Sequence, residues 1–131
     1  MKLITRNTDY AVKALIYISR HKDRVISIKD LTGKLGMPQP FLRNILQILN
    51  KKNLLKSFKG RGGGFMLSSS PDKIFLVDLM EIFQGPFMLN ECMFKKRLCP
   101  DRYNCALKRK IDGIEDDVVA KLKSITLASL L

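Results

Sequence analysis

The chain has 131 residues, one domain or one domain with an appendage, and 46% of them are hydrophobic, enough for a core and too many for a disordered tail. Lysine and arginine outnumber aspartate and glutamate 24 to 12, a formal net charge of +12. Residues 1–67 hold 14 bases and 3 acids, whereas residues 68–131 hold 10 and 9, so the front half is the one expected to face a polyanion.

The longest apolar run near the start, Ala14–Ile18, is far short of the ~20 residues that cross a bilayer, so no membrane partner is expected. Lys2, Arg6, Asp9 and Lys13 break up any signal-peptide core, which points to the cytoplasm. Three cysteines cannot all pair within one chain, and a reducing cytosol disfavours disulfides. His21 is the single histidine and reads as a surface residue near a helix end. With no paired carboxylates and no nucleophile beside a base, a non-enzyme is expected.

In chain order, the apolar positions Ala11, Val12, Leu15, Ile16 and Ile18 predict a helix from Thr8 to Arg20, with Thr8 as its N-cap. Ser27 caps a short helix over Ile28–Leu35, which Gly36 closes before the turn Met37-Pro38. A third helix starts near Pro40, whose missing N–H suits a first helical position, and runs to about Lys52. Helix, short helix, tight turn and helix make a helix-turn-helix outline. Two apolar runs, Leu54–Phe58 and Phe65–Leu67, flank a glycine-rich tip and predict a hairpin. A helix from about Leu76 to Phe83 follows, stopped by Gly85-Pro86. The stretch 87–104 has no regular pattern and carries Cys92 and Cys99, with Cys105 at its far edge.

A long helix is expected from about Cys105 to Ala128, with Ile111, Ile114, Val118, Leu122 and Ile125 as its stripe. A helix of that length at a domain edge seldom buries its stripe alone, so pairing with a second copy is expected; an antiparallel helix of the same chain is the alternative. The fold class is therefore mainly α with a small β-hairpin wing: a winged helix-turn-helix over 1–70, a linking helix and cysteine loop over 71–104, and a dimerisation helix over 105–131.

On the third helix, Leu42, Ile45, Leu46 and Leu49 fall at i, i+3, i+4 and i+7 and define the buried face. The opposite face carries Arg43, Asn44, Gln47, Asn50 and Lys51, with Gln39 before the first turn and no acid among them. Amides and guanidinium groups can bind adenine and guanine edges bidentately in the major groove. Polar outer faces are also ordinary solvated faces, and here the surrounding charge decides for double-stranded DNA. The glycine-rich tip lacks the Gly-Lys-Ser/Thr ending of a nucleotide loop, and Phe65 stands where a dinucleotide fingerprint needs glycine. A wing fits better, with Lys59 and Arg61 projecting into a minor groove.

The stretch Lys56-Ser-Phe-Lys-Gly-Arg-Gly-Gly-Gly-Phe-Met-Leu67, followed by Pro71-Asp-Lys-Ile74, Val77-Asp-Leu79 and Gln84-Gly-Pro86, resembles the Rrf-type family of bacterial winged-helix regulators. Met1-Lys-Leu, Thr8-Asp-Tyr-Ala11 and Ile125-Thr-Leu-Ala-Ser-Leu130 match its ends, so the likeness covers the whole chain. It implies a homodimer whose long C-terminal helices pair and whose winged domains grip a palindromic operator. A glutamate that the family's iron–sulfur regulator uses for readout corresponds to Arg43, and its wing arginine to Lys59, so the resemblance implies DNA binding without fixing the operator sequence.

Cys92, Cys99 and Cys105 are separated by six and five residues, wider than the pairs that hold structural zinc. Thiolate-only sites of wider spacing suit iron–sulfur clusters. Lys95, Lys96, Arg97, Arg102, Lys108, Arg109 and Lys110 surround them, charges that would offset an anionic cluster and that argue against three inert, buried thiols. The cluster-binding branch of the resembled family carries three cysteines in this loop. In one member the fourth ligand is a histidine whose place is taken here by Lys108. In another it is an aspartate early in the first helix, supplied by the other subunit, and Asp9 matches that place. The same Asp9 also suits a helix N-terminus with no ligand at all. The resemblance thus implies a transcriptional regulator, a repressor by expectation, that senses nitric oxide, iron or redox state through a [4Fe-4S] or [2Fe-2S] cluster. The alternatives are a cluster-free thiol switch and a small iron–sulfur carrier or electron-transfer protein.

Overall fold

The computed structural model describes residues 2–89 and 105–131. Five helices are formed there: α1 (Arg6–Arg20), α2 (Ile28–Leu35), α3 (Gln39–Lys51), α4 (Leu76–Gln84) and α5 (Ala106–Lys123). Strands β1 (Leu55–Phe58) and β2 (Gly64–Leu67) pair antiparallel between α3 and α4, with Leu55 opposite Leu67 and Phe58 opposite Gly64. The order is that of a winged helix-turn-helix, as the sequence predicts.

Local chemistry sets most boundaries. Ser27 and Asp30 form a capping box at α2: the Ser27 hydroxyl accepts from the Asp30 N–H at 3.0 Å, and the Ser27 N–H donates to the Asp30 carboxylate at 3.4 Å. Gly36 ends that helix at a left-handed φ of 65°. At α1 the cap is Thr5 rather than the expected Thr8, so the helix starts earlier. Thr8 is fully buried, and its hydroxyl is drawn to the side chain of Gln84 at 2.7 Å, a partner 76 positions away that no local pattern reveals.

One core unites α1 to α4 and the chain's return. Ala11, Ala14, Leu15 and Ile18 of α1 meet Leu31 of α2, Leu42, Ile45, Leu46 and Leu49 of α3, and Leu55, Phe65, Ile74 and Leu79. All four α3 residues are those of the predicted stripe, and none is more than 2% exposed. The wing is tied back to this core by Ile26 and Phe65, whose backbones exchange hydrogen bonds of 2.9 and 2.8 Å. A Cβ on the neighbouring Gly64 would stand 2.2 Å from the Ile26 carbonyl oxygen, and its φ of 154° also favours glycine.

The last helix departs from expectation. α5 ends at Lys123 rather than near Ala128, because the following residues find better partners. The Leu76 N–H donates to the Ile125 carbonyl at 3.0 Å and the Leu127 N–H to the Ile74 carbonyl at 2.8 Å, which seats Leu127 in the core. Ile125, expected on the helix stripe, therefore belongs to this return segment.

Candidate nucleic-acid interface and cysteine segment

α3 and the wing form one basic, polar surface. Gln39, Arg43, Asn44 and Gln47 are all exposed on α3, and Lys59 and Arg61 are exposed on the hairpin. Among these, Gln47 and Lys59 come together: both line a groove of about 410 Å³ between α3 and the wing. Asn50 and Ser57 line the same groove. Asn50 belongs to the polar helix face read from sequence, whereas Ser57 is not marked there; for Ser57 the strand alternation beside the glycine tip is the available signal. Gln39, Arg43 and Asn44 lie along α3 outside that groove, and Arg61 stands at the hairpin tip. α3 carries no acid in its first turn, so nothing on it repels a phosphate.

The other candidate site is divided. Cys92 and Cys99 lie outside the described residues. Cys105 is the N-cap of α5, partly exposed, and its Sγ accepts from the Lys108 N–H at 3.4 Å. It is therefore not sealed in an apolar niche. The Lys108 ammonium meets the Asp112 carboxylate at 2.6 Å. His21 ends α1 with its Nδ1 2.9 Å from the Tyr17 carbonyl oxygen, a local role at a helix end.

Asp9 sits in the first turn of α1, where its carboxylate meets the Lys13 ammonium at 2.8 Å. That hydrogen bond and the attached charge hold the Lys13 pKa above the ordinary lysine value. Both side chains remain half in solvent, so the pair leaves Asp9 accessible. The turn that bears Asp9 is bound to the end of α4 by Gln84. Its Oε1 accepts from the Thr5 N–H at 3.0 Å and the Thr8 hydroxyl at 2.7 Å, while its Nε2 donates to the Leu3 carbonyl at 3.0 Å.

Outside the core, α5 presents an apolar face that is only partly covered among the described residues. Leu107 is 71% exposed and Ile114 53%, Ile111 and Val118 are half-buried, and Leu122 is the one buried residue of the helix. No helix among the described residues is long and apolar enough to cross a membrane.

The winged fold, the basic α3 face and the glycine-rich wing agree with a comparison across protein families. The model of the Rrf2 family, described as an iron-dependent transcriptional regulator, matches residues 4–131. The chain belongs to the Rrf2 family. It is accordingly a transcriptional regulator and not an enzyme. Among relatives of this Rrf2 protein, the HTH-type transcriptional regulator NsrR of Bacillus licheniformis is 26% identical over 133 residues, covering 100% of this chain and 92% of its own. Among solved structures, CymR, the global cysteine regulator of B. subtilis, superposes with a TM-score of 0.82 at 26% identity, over 99% of this chain and 96% of its own. IscR of T. potens shares the fold, with a TM-score of 0.75 at 23% identity over 99% of this chain and 85% of its own.

Proposed function

We propose that this Rrf2 protein is a homodimeric regulator that grips a palindromic operator and whose affinity for it is set by an iron–sulfur cluster. In this reading α3 enters the major groove, with Gln39, Arg43, Asn44 and Gln47 toward base edges, while Lys59 and Arg61 of the wing reach the adjacent minor groove. Two copies pair through α5, whose Leu107 and Ile114, exposed among the described residues, gain a partner there.

Cys92, Cys99 and Cys105 would hold the cluster, with Asp9 of the second copy as fourth ligand. Three thiolates and one carboxylate are a fitting donor set, and the observation that carries the assignment is the accessible Cys105 sulfur at the start of α5. The bound group would supply redox and nitrosylation chemistry. What this chain contributes is mechanical linkage. Cys105 begins the helix assigned to pairing, and Gln84 fastens the turn bearing Asp9 to α4, so any change at these ligands bears directly on how the two winged domains are spaced.

Iron and inorganic sulfide counted in anaerobically reconstituted protein test this. Both are expected in the wild type, with visible charge-transfer absorption, and both should be lost in Cys99→Ala. Protein that retains operator control without iron would instead be a thiol switch acting through the same cysteines, a reading that the partly exposed Cys105 also favours.

A further inference from the structure

The exposed residues of α3 are Gln39, Pro40, Phe41, Arg43, Asn44, Gln47 and Lys51, and Phe41 is the one large apolar side chain among them, at 54% exposure. It belongs neither to the buried row of Leu42, Ile45, Leu46 and Leu49 nor to the groove between α3 and the wing. It sits in the early turns of α3, the part of a reading helix that meets base edges. Asn44 lies three residues on, so the two side chains are neighbours on one face, roughly 5–6 Å apart at Cβ.

A phenyl ring has no polar atom to offer a phosphate or a sugar hydroxyl. The apolar group that a duplex displays in the major groove is the C5-methyl of thymine, and the amide of asparagine matches N6 and N7 of adenine. We propose that Phe41 and Asn44 read A·T pairs together, Asn44 taking the adenine edge and Phe41 packing on the methyl of the thymine in the same or the next pair. This rests on the placing of α3 in the major groove and adds to it a specificity-determining residue with a defined target.

The test uses the full chain. Duplexes are selected from a random pool with the wild-type protein, and each thymine of the selected half-site is then replaced by deoxyuracil, which removes only the methyl. One position should weaken binding about three- to fivefold, the contribution of one buried methyl group. Phe41→Ala should bind the thymine and deoxyuracil duplexes equally, and Phe41→Leu should restore part of the difference. Because Phe41 is exposed, both variants should keep the wild-type circular dichroism spectrum. An operator on which no thymine methyl matters, or a deoxyuracil penalty that persists in Phe41→Ala, would overturn the assignment while leaving α3 as the reading helix. Selection of no duplex at all would overturn both. Equal loss on every duplex together with altered sedimentation would overturn it in favour of a contact between protomers.

Discussion

α3 and α5 are both amphipathic, yet they stand in opposite situations. The stripe of α3 is fully enclosed by α1, α2 and the wing, whereas on α5 Ile114 is exposed, Ile111 and Val118 are half-buried and only Leu122 is buried. Equal periodicity therefore does not mean equal burial. α3 uses its apolar face for the fold of one chain; in the function proposed above its polar face is left for DNA, and the apolar face of α5 for a second chain.

Substitutions can break that contrast. The largest effect is expected from Leu46→Ala, which deletes a fully buried side chain of α3 and should lower unfolding free energy by about 2–5 kcal/mol in a denaturant titration. Gly64→Ala should come next, at about 2–3 kcal/mol by the same titration, since its Cβ would collide with the Ile26 carbonyl that anchors the wing. Ile114→Ser on α5 should change protomer stability by no more than about 0.5 kcal/mol, yet shift sedimentation toward monomer at low concentration. Lys59→Ala should leave the fold intact and lower the slope of operator affinity against salt by about one unit, as loss of one phosphate contact does.

Much of this was legible in the sequence because it is locally encoded. Ser27 and Gly36 bound α2 through contacts within a few residues, and the α3 stripe follows from helical spacing alone. What was misread depends on distant partners. Thr8, the cap expected from sequence, gives its hydroxyl to Gln84 while Thr5 caps the helix, and the end of α5 is set by the Ile125–Leu127 segment pairing with Ile74 and Leu76. At the candidate sites, composition marked the α3 face, but the joining of Gln47 to Lys59, Asn50 and Ser57 in one groove required the hairpin's register. Cys92 and Cys99 were legible only as a spacing.

The most direct test measures operator affinity anaerobically on one preparation, before and after its iron is chelated, alongside Cys105→Ser. A sensor of the kind proposed should change affinity by ten- to a hundredfold on losing iron, about 1.4–2.8 kcal/mol, and Cys105→Ser should show no such change. An affinity that is the same with and without iron in the wild type would contradict the account.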